Sequence, residues 1–190
     1  MKQLSQKTAL VTGASAPNGI GRAIAKDLAS NGATVVVADI EGKLSIQNQG
    51  FCKMELLSQL AEEIECQGGK ATALELDVTN NDQIVACIDE IMRKFGGIDI
   101  LVNNAGSLAG SSNFLSTDPD QWRASFEVNI LGPMMLCQAV IPEMQKKGGG
   151  RIINIGSTGS LGAEAGFGAY TAMKHGLKHF GFNLIDIQRL

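Results

Sequence analysis

Short runs of consecutive apolar residues alternate along this chain with longer stretches whose apolar residues recur at helical spacing, and few folds accept that pattern. The runs VVVA at 35–38, ILVN at 100–103 and IINI at 152–155 are apolar at nearly every position, as strands buried on both faces must be. Strands are expected at 8–12, 34–38, 71–78, 98–103 and 151–155. Helices are expected from about 52 to 66, at 82–95, within 118–147 and at 169–190. A further helix opens after a glycine turn, where Ile20, Ala23, Ile24, Ala25 and Leu28 share a face and Gly32 after Asn31 is a stop signal. Strand and helix in strict alternation predict an α/β fold, a doubly wound parallel sheet with helices on both faces, because each right-handed crossover carries a helix back over the sheet.

With 190 residues, 44% of them hydrophobic, the chain is read as one domain, 1–190. A net charge of −3 offers no broad attraction for nucleic acid or for an anionic membrane. No uninterrupted apolar stretch is long enough to span a bilayer, and MKQLSQKTALVTG runs straight into a strand without a signal-peptide core or cleavage site, so the expected location is cytoplasmic. Cys52, Cys66, Cys87 and Cys137 form no C-x-x-C pair; they read as buried thiols rather than a zinc site or a disulfide framework, and no metal is implied. His175 and His179 stand at i,i+4 without accompanying metalloprotease chemistry and read as two histidines of a helix face.

In residues 12–21, TGASAPNGIG, the first strand ends in a glycine turn that opens a helix. Small residues such as Gly13, Ser15 and Gly19 let backbone approach a pyrophosphate. The helix start at Ile20 supplies unpaired N–H groups, and Gly21 lets the helix lie close to the sheet. Glycine turns also punctuate many unrelated folds. Asp39 ends the second strand roughly 20 residues on, where a carboxylate accepts from the adenosine ribose hydroxyls and repels a phosphate there. That favours NAD over NADP, and neither Asn18 nor Ile40 is basic. Without the upstream glycines, Asp39 reads better as a solvated strand end or a turn residue.

Tyr170 and Lys174 share a helix face at i,i+4, with Ser157 thirteen residues upstream. An ammonium beside a phenol favours its ionised form, which makes tyrosine serviceable in acid/base chemistry. A lone Y-x-x-x-K is also an ordinary surface pair.

Taken together, residues 12–21, Asp77, Asn103-Asn104-Ala105-Gly106, Asn129, Ser157, Tyr170 and Lys174 resemble the short-chain dehydrogenase/reductase family of the compact, non-extended type, over residues 7–177. The resemblance implies a Rossmann-like sheet. It places Asp77 and Val78 beside the adenine and Asn104, Ala105 and Gly106 along the cofactor. Asn129, Ser157, Tyr170 and Lys174 become a catalytic tetrad, in which Lys174 also holds the nicotinamide ribose and the Asn129 carbonyl holds a relay water. The residue four beyond Asn129 is Pro133, which has no N–H to occupy that carbonyl within a helix.

The implied function is an NAD-dependent oxidoreductase moving hydride between a secondary alcohol or carbonyl substrate and the nicotinamide, with Tyr170 as general acid/base. Leu108, Ala109, Phe114, Leu161 and Phe167 fall near the implied pocket rim and suit an apolar or mixed substrate. The implied assembly is a homodimer through the Asn129 and Tyr170 helices. Two departures from the family pattern stand out: Pro17 and Asn18 read as an insertion in the glycine turn, and 40–53, with Gly42, Gln47, Asn48 and Gly50, reads as an enlarged surface loop. Family members also continue beyond the tyrosine helix into further strands, a Pro-Gly motif and a substrate lid, so the family's C-terminal strands are expected to be missing here. The alternative is therefore a truncated homologue that binds nucleotide without turnover, as a binding or interaction subunit. A nucleotide-sugar epimerase is a third reading, which the N-N-A-G run and the serine-to-tyrosine spacing fit less well.

Overall fold

The computed structural model describes residues 2–46 and 49–187. Thr8–Thr12 (β1) leads to Ile20–Ser30 (α1) and Thr34–Asp39 (β2). Lys43–Ile46 (β3) and Gln49–Cys52 (β4) follow, then Lys53–Cys66 (α2), Lys70–Glu75 (β5), Asn81–Phe95 (α3) and Ile100–Asn103 (β6). Pro119–Phe126 (α4) runs through Glu127–Leu131 into Gly132–Lys146 (α5), and Arg151–Asn154 (β7) and Gly168–Ile187 (α6) end the described fold.

The main sheet has the order β5-β2-β1-β6-β7 with every pair parallel. Consecutive apolar residues in the strands are explained by the two layers that cover them. Leu10, Val36 and Leu101 pack with Ile84, Ile88 and Ile91 of α3 and Leu136 and Val140 of α5. Their neighbours Ala9, Val11, Val35, Val37 and Val102 pack on the opposite face with Ala25 and Ala29 of α1 and Leu57, Leu60 and Ile64 of α2. Each strand parity thus has its own helical layer, which is the Rossmann-like arrangement.

From β1 the chain steps one way to β2 and β5, then returns to lay β6 on the other side of β1. The two connections diverge between β1 and β6 and leave a crevice at the carboxyl ends of those strands. β7 is an edge of the described sheet, with Ile153 43% exposed.

Residues 40–53 depart from the expected surface loop. β3 and β4 pair antiparallel, Lys43 opposite Cys52 and Ile46 opposite Gln49, and the Lys53 N–H donates to the Gly42 carbonyl (2.9 Å) to close the base of the hairpin. Gln47 and Asn48 lie outside the described residues. In the glycine turn, the Gly19 N–H donates to the Ala16 carbonyl (2.9 Å), so Pro17 and Asn18 are taken up in a one-turn excursion with proline at its favoured second position.

The helix around Asn129 widens into a π-turn over Glu127–Leu131, with the Gly132 N–H donating to Glu127 five residues back. Pro133 withholds the N–H that the Asn129 carbonyl would take in an α-helix, and an altered ladder at that point follows. The continuous helix Pro119–Lys146 is 28 residues long with a mean hydropathy of 1.4 in its most apolar window. By length and composition alone it is long and apolar enough to cross a membrane, although Asp120, Arg123, Glu127, Glu143 and Lys146 interrupt its apolar residues. Its apolarity has a local reason, because Leu136, Cys137, Val140 and Met144 fill the core against the sheet.

The cysteines divide where uniform burial was expected. Cys87 and Cys137 are buried, and burial pushes their thiols up to about 12 and about 11; Cys52 is half-buried and Cys66 is exposed. Along α6, Leu177 is buried and Phe180 packs on the core.

Candidate active site

The crevice at the switch point is a cleft of about 570 Å³. It is lined by Gly13, Ser15, Ile20, Asp39 and Ile40, by Asp77 and Val78, by Asn104, Ala105 and Gly106, which follow β6 and lie against the Gly13 turn, and by Tyr170 and Lys174.

The Gly13 turn lies against the β6 loop. Asn104 Nδ2 donates to the carbonyls of Thr12 (2.8 Å) and Gly13 (2.9 Å), and the Thr12 hydroxyl accepts from the N–H groups of Asn104 and Ala105 (both 3.1 Å). Gly13 has φ +65°, and a Cβ there would stand 2.7 Å from Ala105 Cα. A Cβ on Gly21 would meet Asn104 Nδ2 at 2.5 Å. Both positions require glycine, and together they bring the N-terminus of α1 to the cleft with its unpaired N–H groups and positive dipole end. A narrow backbone cradle beside a helix start fits the diphosphate of a dinucleotide.

Asp39 sits where the sequence reading placed it, and it is already engaged. Oδ2 accepts from the Ser15 N–H (3.1 Å) and hydroxyl (2.7 Å), while Oδ1 accepts from the Ile40 N–H (2.9 Å) and Lys53 Nζ (3.3 Å). Asp77 Oδ1 accepts from the Thr79 N–H (2.9 Å) and hydroxyl (2.7 Å), which fixes that carboxylate at the wall.

Lys174 is only 3% exposed; its ammonium donates to the Ile155 carbonyl (2.9 Å) and stands 5.7 Å from the Tyr170 ring centroid. Burial lowers its pKa below the ordinary 10.5. Asn129 is fully buried and clamps the loop after β6: Nδ2 donates to the Ser107 carbonyl (2.8 Å) and the Ser125 carbonyl (2.9 Å), and Oδ1 accepts from the Ser107 N–H (3.3 Å). Gly106 lies between Asn129 and Lys174, since a Cβ there would be 3.2 Å from Asn129 Oδ1 and 3.7 Å from Lys174 Nζ.

Ser157 lines an adjoining cavity of about 390 Å³ that meets the main cleft at Gly156. Its hydroxyl oxygen accepts from the Gly159 N–H (3.1 Å), and its own N–H donates to Ser160 Oγ (3.0 Å), a reciprocal cap of the short 3-10 turn Thr158–Ser160. That bond uses a lone pair, and the hydroxyl keeps its proton to donate. Ser157 Oγ and the Tyr170 ring both come within 3.8 Å of the point where a Gly159 Cβ would be.

Asn18, Gly19 and Gly21 do not line the cleft: Asn18 is at the exposed tip of the turn, Gly19 precedes α1 and Gly21 is buried under Asn104. Of the rim residues, Leu108 lines the cleft, Leu161 the adjoining cavity, and Phe114 is exposed. Sequence reading missed Leu44, Lys53 and Ser107, which also line the cleft. Ser107 had a signal, standing directly after N-N-A-G; Leu44 and Lys53 had none, since the hairpin brings them there.

The profile of the short chain dehydrogenase family matches residues 7–186. The chain belongs to that family. Among its relatives, the 7alpha-hydroxysteroid dehydrogenase of Escherichia coli (strain K12) is 34% identical over 182 residues, 96% of this chain and 65% of that protein. The 3-oxoacyl-[acyl-carrier-protein] reductase FabG of Thermotoga maritima is 34% identical over 175 residues, 92% of this chain and 65% of that protein. The chain therefore spans about 65% of the length of these relatives.

Among solved structures, a metagenomic short-chain oxidoreductase in complex with NADP superposes with a TM-score of 0.84 at 34% identity, covering 98% of this chain and 78% of that one. A 7 alpha-hydroxysteroid dehydrogenase complexed with NADH and 7-oxo glycochenodeoxycholic acid superposes at 0.82 and 34% identity, covering 93% of this chain and 63% of that one. The family is one of oxidoreductases on a Rossmann-like nucleotide-binding fold, and these two members hold different nicotinamide cofactors.

Proposed function

We propose that residues 1–190 act as one dinucleotide-binding and catalytic unit that interconverts a secondary alcohol and a carbonyl. The observation that carries this reading is that Tyr170 and Lys174 line the same cleft as the Gly13 turn and Asp39, so one bound ligand can touch all of them.

When bound, the nicotinamide cofactor accepts or supplies the hydride. The chain's own residues do the rest. Gly13, Ser15 and the start of α1 hold the diphosphate, Asp39 the adenosine ribose and Asp77 and Val78 the adenine side. Tyr170 takes the hydroxyl proton in oxidation and returns it in reduction, and the Lys174 ammonium stabilises the negative charge left on the phenol oxygen. Ser157 donates its hydroxyl proton to the substrate oxygen. Asn129 holds the Ser107 backbone in place, and its carbonyl, released by Pro133, accepts from a relay water. The substrate is a small molecule of apolar or mixed character, and the setting is cytoplasmic.

A second reading, nucleotide binding without turnover, is favoured by one observation: Ser157 lines the adjoining cavity rather than the cleft that holds Tyr170. Steady-state assays with a panel of secondary alcohols and ketones, run beside a cofactor titration, separate the two. Reduction or oxidation above background supports the enzyme; tight nucleotide binding with no turnover on any substrate supports the binding subunit.

The assembly we propose is a homodimer through the helix that carries Asn129 and the helix that carries Tyr170, which pack on each other within the chain. Multi-angle light scattering is expected to give twice the chain mass of 20.0 kDa. A monomer across the micromolar range rules the dimer out.

A further inference from the structure

A carboxylate at the end of the second strand discriminates against a ribose phosphate only while its charge is uncompensated. Here it is compensated. Lys53 Nζ lies 3.3 Å from Asp39 Oδ1, the two side chains are 21% and 12% exposed, and both line the cleft. The lysine comes from fourteen residues beyond Asp39, at neither of the positions, Asn18 and Ile40, where a basic residue is absent from the sequence.

The β3–β4 hairpin explains how it gets there. Its strands pair from Lys43–Cys52 to Ile46–Gln49, and the Lys53 N–H closes on the Gly42 carbonyl, so the excursion returns the chain to the mouth of the cleft at the first residue of α2. Leu44 of the same hairpin lines the cleft as well. The other hydrogen bonds of Asp39, from Ser15 and from Ile40, hold its carboxylate without help from Lys53. The ammonium can therefore turn to an incoming anion while Asp39 stays in place.

We propose that Lys53 is a cofactor-discriminating residue, which offsets the repulsion between Asp39 and a phosphate on the adenosine ribose and contacts that phosphate, so that the chain takes NADP(H) as well as NAD(H). This rests on the dinucleotide reading of the cleft. It modifies the preference for NAD over NADP that Asp39 implies when read from sequence alone.

The test is calorimetric titration of NADH and NADPH into the parent chain, Lys53→Ala and Lys53→Arg, read as the ratio of the two Kd values. Lys53→Ala is expected to shift the ratio roughly tenfold toward NADH, mostly through weaker NADPH binding, as loss of a charge-assisted bond to phosphate requires. Lys53→Arg should keep the ratio near that of the parent. A lysine that only pinned the hairpin would alter stability and leave the ratio alone, so an unchanged ratio in Lys53→Ala, with both nucleotides still binding, overturns the proposal. Failure of the parent to bind either nucleotide overturns the cleft reading itself and the proposal with it. The parent alone supplies a second check should the alanine variant not fold. Its NADPH affinity should fall more steeply with added salt than its NADH affinity, and equal slopes count against the phosphate contact.

Discussion

Tyr170→Phe should lower kcat by about 10²–10⁴-fold, the usual worth of a positioned acid/base group, while the Kd for the nicotinamide cofactor changes by less than roughly threefold. The substitution removes one oxygen and keeps the ring, so the 5.7 Å approach of the Lys174 ammonium to its face is retained. Binding and chemistry are thus separated in one variant. The readout is steady-state turnover on whichever alcohol or ketone the parent accepts, paired with a fluorescence titration of reduced cofactor. Turnover within tenfold of the parent would assign the proton transfer to another group.

Lys174→Met is expected to cost turnover to a similar degree and, at neutral pH, to make the protein more stable. The ammonium is 3% exposed and donates to the Ile155 carbonyl at 2.9 Å, with no carboxylate among the ion pairs of the described residues to balance it. Burying a charge on that footing is costly, and a methionine of similar length fills the same space; a gain of about 1–3 kcal/mol is expected. The pH dependence has a definite sign. Burial lowers the folded pKa of Lys174 below 10.5. As pH rises through that lowered value, the folded state sheds the proton while the unfolded state keeps it, so the parent gains stability until 10.5 is passed. The advantage of the methionine variant should therefore be widest near neutrality and shrink toward the ordinary lysine range. Urea unfolding of both proteins at about pH 7 and about pH 10 measures this. A methionine variant less stable than the parent at neutral pH would mean that the Lys174 contacts outweigh its desolvation.

Those two residues were visible in the sequence because both the helix and the i,i+4 spacing are local. The strands were visible for the same reason. Leu10 and Val11 are both apolar since they face opposite layers, and a run of such residues announces a strand covered twice. Gly21 was read as a place where the helix lies close to the sheet, although the residue it approaches, Asn104, lies far along the chain.

Other features could not be read that way. The polar link at 40–53 carried no helical period, yet it folds into a hairpin whose ends meet at Gly42 and Lys53. Pro17 and Asn18 read as an insertion in the glycine turn, and they lie exposed in a turn closed by the Gly19 N–H to Ala16 carbonyl bond. The long helix within 118–147 was expected, but the π-turn at Glu127–Leu131 inside it was not.

The sequence by itself determined the doubly wound sheet, the glycine cradle at its switch point and the pairing of Tyr170 with Lys174, since each is written in spacings of a few residues that the backbone converts directly into geometry. The tertiary structure alone decided that Asp39 meets Lys53, that Asn129 grips Ser107 and that Ser157 opens on a neighbouring cavity. Those contacts join residues 14, 22 and more positions apart, and only the path of the folded backbone sets which side chains such separations bring together.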